Sequence, residues 1–583
     1  MMTATAQHLL LRALVDELAR CGTEIAVTAA GSRNTPVIEA LVADERIRSV
    51  SHIDERCGGF FAVGAARASG RPVVVTVTSG SAVANLMPAV VEASEAGVPL
   101  IVLSADRPPE LRQIGAGQTI DQVKLFGVYC RFFAELDLSE ATPDRLAWVR
   151  SLACRAYLTA LGPHPGPVQL NLPLREPLVV ARPLPEDPPG GQGRPDGRPW
   201  VSAIRGREPA DPIHTPPVSR PPQTVPAVVV LGGGLSPSAG RLWARLAARA
   251  GLPVLADPLS GGRTGPAAIA HYDLILRHAD TAAALAPELI LRGGDLPTSK
   301  PLRAWLAGLG TVEQIVAHPR PEWPDPTSQM SRRVLGDAAL ALNGLAGPPG
   351  WLAAWQAADA TVAAGIAPVI DASGLSEPAV ARCLGADLPP EATLFVAASM
   401  PIRDVEEFVA ARERPPRVLA NRGANGIDGT VSSALGAAAV SDGPVVLLIG
   451  DVALAHDIGG LLTARRAGVP LTVVLLNNDG GGIFAFLAIA GASEAYAEHV
   501  ATPHGLDFAH AAALYGLDHH RPGDLAGLRA VLADSIHQSR QGGSATVIEV
   551  RTEREANRVL HAEIAAAAAA ALSRRGPAAT PGA

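Results

Sequence analysis

The chain has 583 residues, more than one hydrophobic core supports, so two to four domains are expected. Hydrophobic residues make up 48% and charged residues 18%, the balance of a packed globular protein, and a net charge of −7 gives no reason to expect nucleic acid as a partner. The 5 cysteines are scattered without a CxxC pair, which argues against a zinc site or disulfide framework and suits a reducing cytoplasm; no charged-then-apolar leader opens the sequence and no apolar run is long enough for a bilayer.

In chain order, the strand-like "EIAVTAA" leads into "GSRNTPVIEAL", which puts Ser32 and Arg33 at a helix N-terminus, a ready site for an anion. "SHIDERCGGFFAVGAARASG" follows, with Glu55 at the head of an apolar helix, where the macrodipole favours an acid. "RPVVVTVTSGSAVANLMPAVVEASEAGVPLIVLSAD" reads as strand, turn, helix and strand, with nearly continuous β-branched runs as in parallel strands buried on both faces. "ADRPPELRQIGAGQTIDQ" then places Arg107 after a strand and Gln118 in a Gly-rich loop.

From Glu176 to Pro226 the density of Pro and Gly excludes a regular element and marks an interdomain linker. The next block opens with "AVVVLGGGLSPSAGRLWARLAARAGLPVLAD", again strand, turn, helix and strand, but without the GxGxxG order of a dinucleotide site. Lys300 follows in "LRGGDLPTSKPL", and a further boundary is expected near "LAGPPGW". The last block carries Ser399 and Arg403 in "ASMPIRDVEEF" and Arg422 in "LANRGANGIDG". Each of these cations alone reads as an ordinary solvated charge. Several on strand-end loops point to a substrate with more than one carboxylate, which arginine pairs in bidentate fashion.

The last block also contains "GPVVLLIGDVALAHDIGGLLTARRAGVPLTVVLLNND". It shares the pentapeptide "AGVPL" and the same element order with the first block, which favours an internal duplication. Two strand ends deliver Asp451 and, 27 positions later, Asn478. Adjacent parallel strands would bring them together, and ligands of open α/β sheets gather at such ends. A carboxylate, an amide oxygen and a carbonyl in the following "GGG" are hard oxygen donors suited to Mg²⁺, with glycines that let phosphates approach closely. His456 and Asp457, at the start of the intervening helix, read as capping and packing residues, and Asn477 as support for the turn.

This constellation resembles the motif of the thiamine diphosphate enzymes, a Gly-Asp pair followed at this interval by paired Asn. The resemblance implies that Asp451 and Asn478 ligate Mg²⁺ (with Mn²⁺ able to replace it) through side chains, and Gly480 through its carbonyl. It implies that Glu55 is the acid bonded to the cofactor's pyrimidine ring, that Ile427 supports the bent cofactor, and that Ile483 and Phe484 wall the reactive end. The sets "GSRNTP", "IDER", "ADRPPELR", "NRGANGIDG" and "NNDGGGIF" together resemble the family of 2-succinyl-5-enolpyruvyl-6-hydroxy-3-cyclohexene-1-carboxylate synthases of menaquinone biosynthesis, over nearly the whole chain. That family implies thiamine diphosphate-dependent decarboxylation of 2-oxoglutarate and 1,4-addition of the succinyl carbanion equivalent to isochorismate. Arg33, Arg107, Gln118 and Lys300 then contact isochorismate, Arg403 and Arg422 the acidic groups of substrates and intermediate, and Ser399 makes polar contacts nearby, with Ser32 counted among the substrate-binding residues. Two positions depart from the family pattern: Gly117 precedes Gln118, and Pro301 follows Lys300, with Arg303 a candidate to compensate.

The expected fold is α/β, with three doubly wound parallel-sheet domains of the thiamine diphosphate enzyme type. The expected division is a pyrimidine-binding domain at 1–180, a linker at 181–225, a central domain at 226–348, a diphosphate- and Mg²⁺-binding domain at 349–570 and a disordered tail at 571–583. A homodimer or homotetramer with active sites at subunit interfaces is implied. The rival readings are another thiamine diphosphate-dependent 2-oxo acid decarboxylase or acetohydroxyacid-type synthase, and a non-catalytic nucleotide- or diphosphate-binding regulator on the duplicated α/β fold.

Overall fold

The computed structural model describes residues 2–203, 223–334 and 339–575. Its β-branched runs become short parallel strands, most of them buried on both faces. In the first block these are β1 (Ile25–Ala29), β2 (Arg48–His52), β3 (Val73–Val77), β4 (Leu100–Asp106), β5 (Phe132–Glu135) and β6 (Pro167–Pro173), in the order β2-β1-β3-β4-β6-β5. Next, among the described residues, β7 (Gln223–Thr224) pairs only with β13 (Leu345–Ala346). Between them β8 (Ala227–Leu231), β9 (Val254–Ala256), β10 (Leu289–Gly293), β11 (Glu313–Ala317) and β12 (Arg332–Val334) form a sheet in the order β12-β11-β10-β8-β9.

The last block forms β14 (Thr393–Val396), β15 (Arg417–Leu419), β16 (Val445–Gly450), β17 (Thr472–Asn477), β18 (Asp518–His520) and β19 (Thr546–Arg551), ordered β15-β14-β16-β17-β19-β18. That is the strand order of the first sheet, element for element, so the echo carried by "AGVPL" extends to topology. Every pairing is parallel, and helices connect the strands, giving three doubly wound α/β domains. Between Ala181 and Ala203 the Pro- and Gly-rich stretch has no helix or strand; residues 204–222 of the expected linker lie outside the described residues. Ala571–Arg575 end the helix Arg554–Arg575, and the rest of the expected tail, 576–583, is likewise outside them. No helix among the described residues is long and apolar enough to cross a membrane.

By contact the chain divides into two units, each discontinuous in sequence. One comprises Met1–Gly206, Asn421–Ser441 and His456–Leu471; the other Arg207–Ala420, Asp442–Ala455 and Thr472–Ala583. Within the first unit, helices Glu55–Ser69 and Thr430–Ala438 cross at backbone contact. A Cβ on Gly64 would lie 1.8 Å from the Ser433 carbonyl oxygen, and one on Gly436 1.9 Å from that of Phe61. The Ser433 hydroxyl donates to the Phe60 carbonyl at 3.0 Å across the same crossing. Asp457 is fully buried and accepts the Ser432 amide at 2.7 Å and its hydroxyl at 3.0 Å, so it caps the first turn of the second helix. Burial pushes its carboxyl up to about 6 against the pull of those bonds.

Gly64→Ala and Gly436→Ala are each expected to cost about 1–3 kcal/mol or more by overpacking. Gly308→Ala, where nothing lies within 4 Å of the added carbon, is expected to cost nothing. Melting temperatures of the three variants check the contrast, and equal values would remove the crossing as a constraint.

Candidate active site

Each sheet has a point where strand order reverses: between β1 and β3, between β8 and β10, and between β14 and β16. Ligands of open α/β sheets bind outside the carboxyl ends at such points. The loops leaving these ends carry Ser32 and Arg33, then Lys300, then Ser399 and Arg403 with Asp451.

In the second unit, Asp451 follows β16 directly and is buried. One of its oxygens accepts the Val452 amide at 2.7 Å; the other accepts the amides of Asn478 at 3.0 Å and Gly480 at 2.9 Å. The ends of the paired strands β16 and β17 are thereby joined. His504 Nε2 lies 3.3 Å from the doubly accepting oxygen. Asn478 Oδ1 is buried with no hydrogen-bond partner. The Gly480 carbonyl accepts the Gly482 amide at 2.9 Å and keeps its second lone pair. An orphaned amide oxygen, a carboxylate and a carbonyl with spare capacity fit a hard divalent cation such as Mg²⁺. Asn477 donates to Glu549 at 2.8 Å and accepts the Asp479 amide at 3.2 Å, so it supports the turn.

The glycines of this loop have a reason the sequence does not give. A Cβ at Gly480 would meet the Ala501 carbonyl oxygen at 2.3 Å, and one at Gly482 the Asn478 Nδ2 at 2.7 Å. The protein's own atoms take that space, and φ of +140° at Gly480 excludes a side chain besides.

A cavity of about 460 Å³ in the same unit is lined by Lys300, Arg403, Ile483, Phe486, Asp273 and His561, among others. The acids in its wall are engaged. Asp273 pairs with Arg277 at 2.8 Å and accepts the Ser299 hydroxyl at 2.5 Å; Glu407 lies 3.5 Å from Arg277; Glu406 accepts the Tyr272 hydroxyl. Burial and Asp273 push Glu407 up to about 7, and burial with Asp257 pushes Glu406 well above the ordinary carboxyl range. Lys300 and Arg403 have no carboxylate within 4.0 Å among the described residues. Burial depresses the Arg403 pKa, opposed by Glu406 and Asp404, and one of its N–H groups donates to the Ser399 carbonyl. Ser399 itself sits at φ +78°, capping helix Met400–Phe408. Phe484 turns back on the loop, its ring against Gly481, and Phe486 lines the cavity instead. Arg303 donates to the carbonyls of Pro297 at 2.7 Å and Leu296 at 3.3 Å, so it braces the loop before Lys300.

The first unit holds the other expected residues. Glu55 opens helix Glu55–Ser69, half-buried, and its Oε2 accepts Asn85 Nδ2 at 3.2 Å. Ser32 is exposed; Arg33 is buried, donating to the Leu174 carbonyl at 2.8 Å and pairing with Glu176 at 3.0 Å. Gln118, at φ +56°, donates to the Ser79 carbonyl at 3.1 Å and accepts the Ser79 hydroxyl through its own carbonyl at 3.0 Å. Arg107 directly follows β4 and is half-buried. Arg422 and Ile427 lie half-buried in the loop after β15, whose Gly423 and Ala424 amides donate to Glu92 at 3.0 and 2.8 Å.

Sequence reasoning missed Glu377, His504, Asp404 and His561. Glu377 lies in "LSEPAV" and looks like any helix-start acid; nothing in the chain pairs it with Asn478, 101 residues away. His561 belongs to the C-terminal helix, and its ring sits between Phe408 and Phe486 at 5.2 and 5.1 Å.

Comparison with known proteins matches three parts of the chain to family models. Residues 10–125 match the N-terminal TPP binding domain of thiamine pyrophosphate enzymes, 223–396 their middle domain, and 403–550 their C-terminal TPP binding domain. The chain is 41% identical to the 2-succinyl-5-enolpyruvyl-6-hydroxy-3-cyclohexene-1-carboxylate synthase of Chloroflexus aurantiacus, over 97% of both proteins. It is 42% identical to that of Myxococcus xanthus, over 96% of this chain and 97% of the relative. For the protein of the same name from Halobacterium salinarum the identity is 40%, over 95% and 97%.

His561 lies 3.3 Å from the fully buried Asp404. Burial opposes a charge on its ring, but Asp404, Glu407 and Glu377 outweigh it and hold the pKa above 6.5. A raised histidine pKa contributes stability that is complete below the unfolded value and is lost as pH rises through the folded one. His561→Gln is therefore expected to cost about 3 kcal/mol where the ring is charged and progressively less as pH rises above the ordinary histidine range. Unfolding midpoints across that range check it; a deficit independent of pH would reduce the ring to packing.

Proposed function

The chain belongs to the thiamine pyrophosphate (thiamine diphosphate) enzymes and, within them, to the family of 2-succinyl-5-enolpyruvyl-6-hydroxy-3-cyclohexene-1-carboxylate synthases; from that premise we propose that it decarboxylates 2-oxoglutarate and adds the succinyl unit to isochorismate in a 1,4 sense, in menaquinone biosynthesis. The observation that supports this most is the pair Lys300 and Arg403 in one cavity whose own acids are already engaged. Such a cavity suits an acidic substrate, since both proposed substrates carry two carboxylates.

Thiamine diphosphate, when bound, supplies the carbanion chemistry that decarboxylation and carbon–carbon bond formation both need. Asp451, Asn478 and Gly480 would hold Mg²⁺, or Mn²⁺ in its place, for the diphosphate. Glu55 would hold a proton on its carboxyl against the pyrimidine ring nitrogen, with Ile427 packed against the cofactor and Ile483, with Phe486 in place of Phe484, as the apolar wall. Arg403 and Arg422, with Ser399, would take the acidic groups of 2-oxoglutarate and of the intermediate. Ser32, Arg33, Arg107, Gln118 and Lys300 would orient isochorismate. By the family resemblance, the protein acts as a homodimer or homotetramer in the cytoplasm, with Glu55 and the cation ligands of one site drawn from different subunits.

A coupled assay with Mg²⁺, thiamine diphosphate, 2-oxoglutarate and isochorismate is expected to lose its signal when any one component is left out. Turnover of pyruvate with none of this pair would replace the reading by another 2-oxo acid enzyme. Glu55→Gln is expected to lower kcat about 10²–10⁴-fold. Arg403→Met is expected to raise KM for 2-oxoglutarate about tenfold or more, the loss of a charge-assisted contact.

The shared site has its own test. Glu55→Gln and Asp451→Ala chains are each expected to be inactive alone. Mixed and reassembled, they are expected to recover part of the activity, because one site of each hybrid is intact. No recovery from verified hybrids would place both halves of the site in one subunit.

A further inference from the structure

Asn478 offers two nearly isosteric ends, an oxygen that can bind a cation and an NH₂ that cannot. Something must decide which end faces where. Glu377, 1% exposed, opens helix Glu377–Asp387 behind the Ser376 cap. Its Oε1 accepts Asn478 Nδ2 at 2.9 Å and the Thr552 hydroxyl at 2.8 Å. Thr552 directly follows β19, and its amide donates to the Asn477 carbonyl at 2.9 Å, so the neighbouring strand anchors the contact. On the other side of the same amide, Asn478 Oδ1 is buried with no hydrogen-bond partner.

We propose that Glu377 is the positioning residue of the cation site: it holds the Asn478 NH₂ and so fixes Oδ1 towards the cation, and it requires an amide rather than a carboxylate at 478. The proposal rests on Asp451, Asn478 and Gly480 being the cation ligands. A flipped amide would set its oxygen against the Glu377 carboxyl and its NH₂ against the cation, both unfavourable. An aspartate at 478 would add charge for the cation, yet it would set a second carboxyl against the buried one at hydrogen-bond distance, a repulsion relieved only by a proton shared between them. Groups that orient metal ligands in this way typically matter about 10–100-fold for metal affinity.

The test is titration with Mn²⁺ of the full-length protein saturated with thiamine diphosphate, free Mn²⁺ being read by electron paramagnetic resonance. E377L is expected to weaken Mn²⁺ binding about 10–100-fold with an unchanged circular dichroism spectrum. E377Q keeps an acceptor and is expected to weaken it less. N478D is expected to bind Mn²⁺ more weakly than the wild type despite its added charge. The double variant E377Q/N478D is expected to recover about tenfold or more of that loss, since the glutamine restores an NH₂ between the two groups. These volume-conserving exchanges decide the case if E377L does not fold. Tighter Mn²⁺ binding by N478D, or E377L binding as the wild type does, would overturn the positioning role. If N478A leaves Mn²⁺ affinity unchanged, the proposed ligand set itself fails, and the role of Glu377 with it.

Discussion

One carboxylate ties two strand ends of the second unit together. Asp451 receives three backbone amides, from its own helix start and from the loop beyond the neighbouring strand. Two features make this possible. The register of β16 on β17 pairs Gly450 with Leu476 and so brings the two strand ends level. The strands themselves are buried on both faces, so polar chemistry is confined to their ends. A shift of one residue in that pairing would scatter the donors, so the apolar run "VVLLIG" is as much a part of the site as the aspartate that ends it.

Much of this was legible in the sequence, for a physical reason. Parallel strands announce themselves by continuous β-branched runs, and a run that stops at Asp or Asn-Asn has few uses other than a ligand or a turn. Strand order was less visible, yet the repeated "AGVPL" pointed to the two sheets that share it. The cations were harder to read. Arg33, Arg303, Arg403 and Lys300 are alike as letters on strand-end loops. In the second unit Arg303 braces two carbonyls while Lys300 and Arg403 line the cavity, and in the first Arg33 already holds a carbonyl and Glu176. A guanidinium serves its own backbone as readily as a substrate, and composition does not separate the two. The glycines after Asn478 have a further reason that the letters do not carry, the close approach of the Ala501 carbonyl to Gly480.

The cavity wall holds acids beside its cations. Asp273, Glu406 and Glu407 are buried beside cations, yet each is absorbed by a local partner. For Glu406 and Glu407, burial also makes the charged form costly. What remains open in the wall is positive. The electrostatic character of the cavity follows from which partners are already taken rather than from a count of charges.

The interleaving of the two units bears on how the chain emerges from the ribosome. The first unit is not complete until Leu471, some 265 residues after the end of its first segment at Gly206. Synthesis at about 5–20 residues per second puts roughly 10–50 s between those points. During that interval the face of helix Glu55–Ser69 that will meet Gly436 and Ser433 has no partner from its own chain. The helix that carries Glu55 is thus made long before the segment that covers that face.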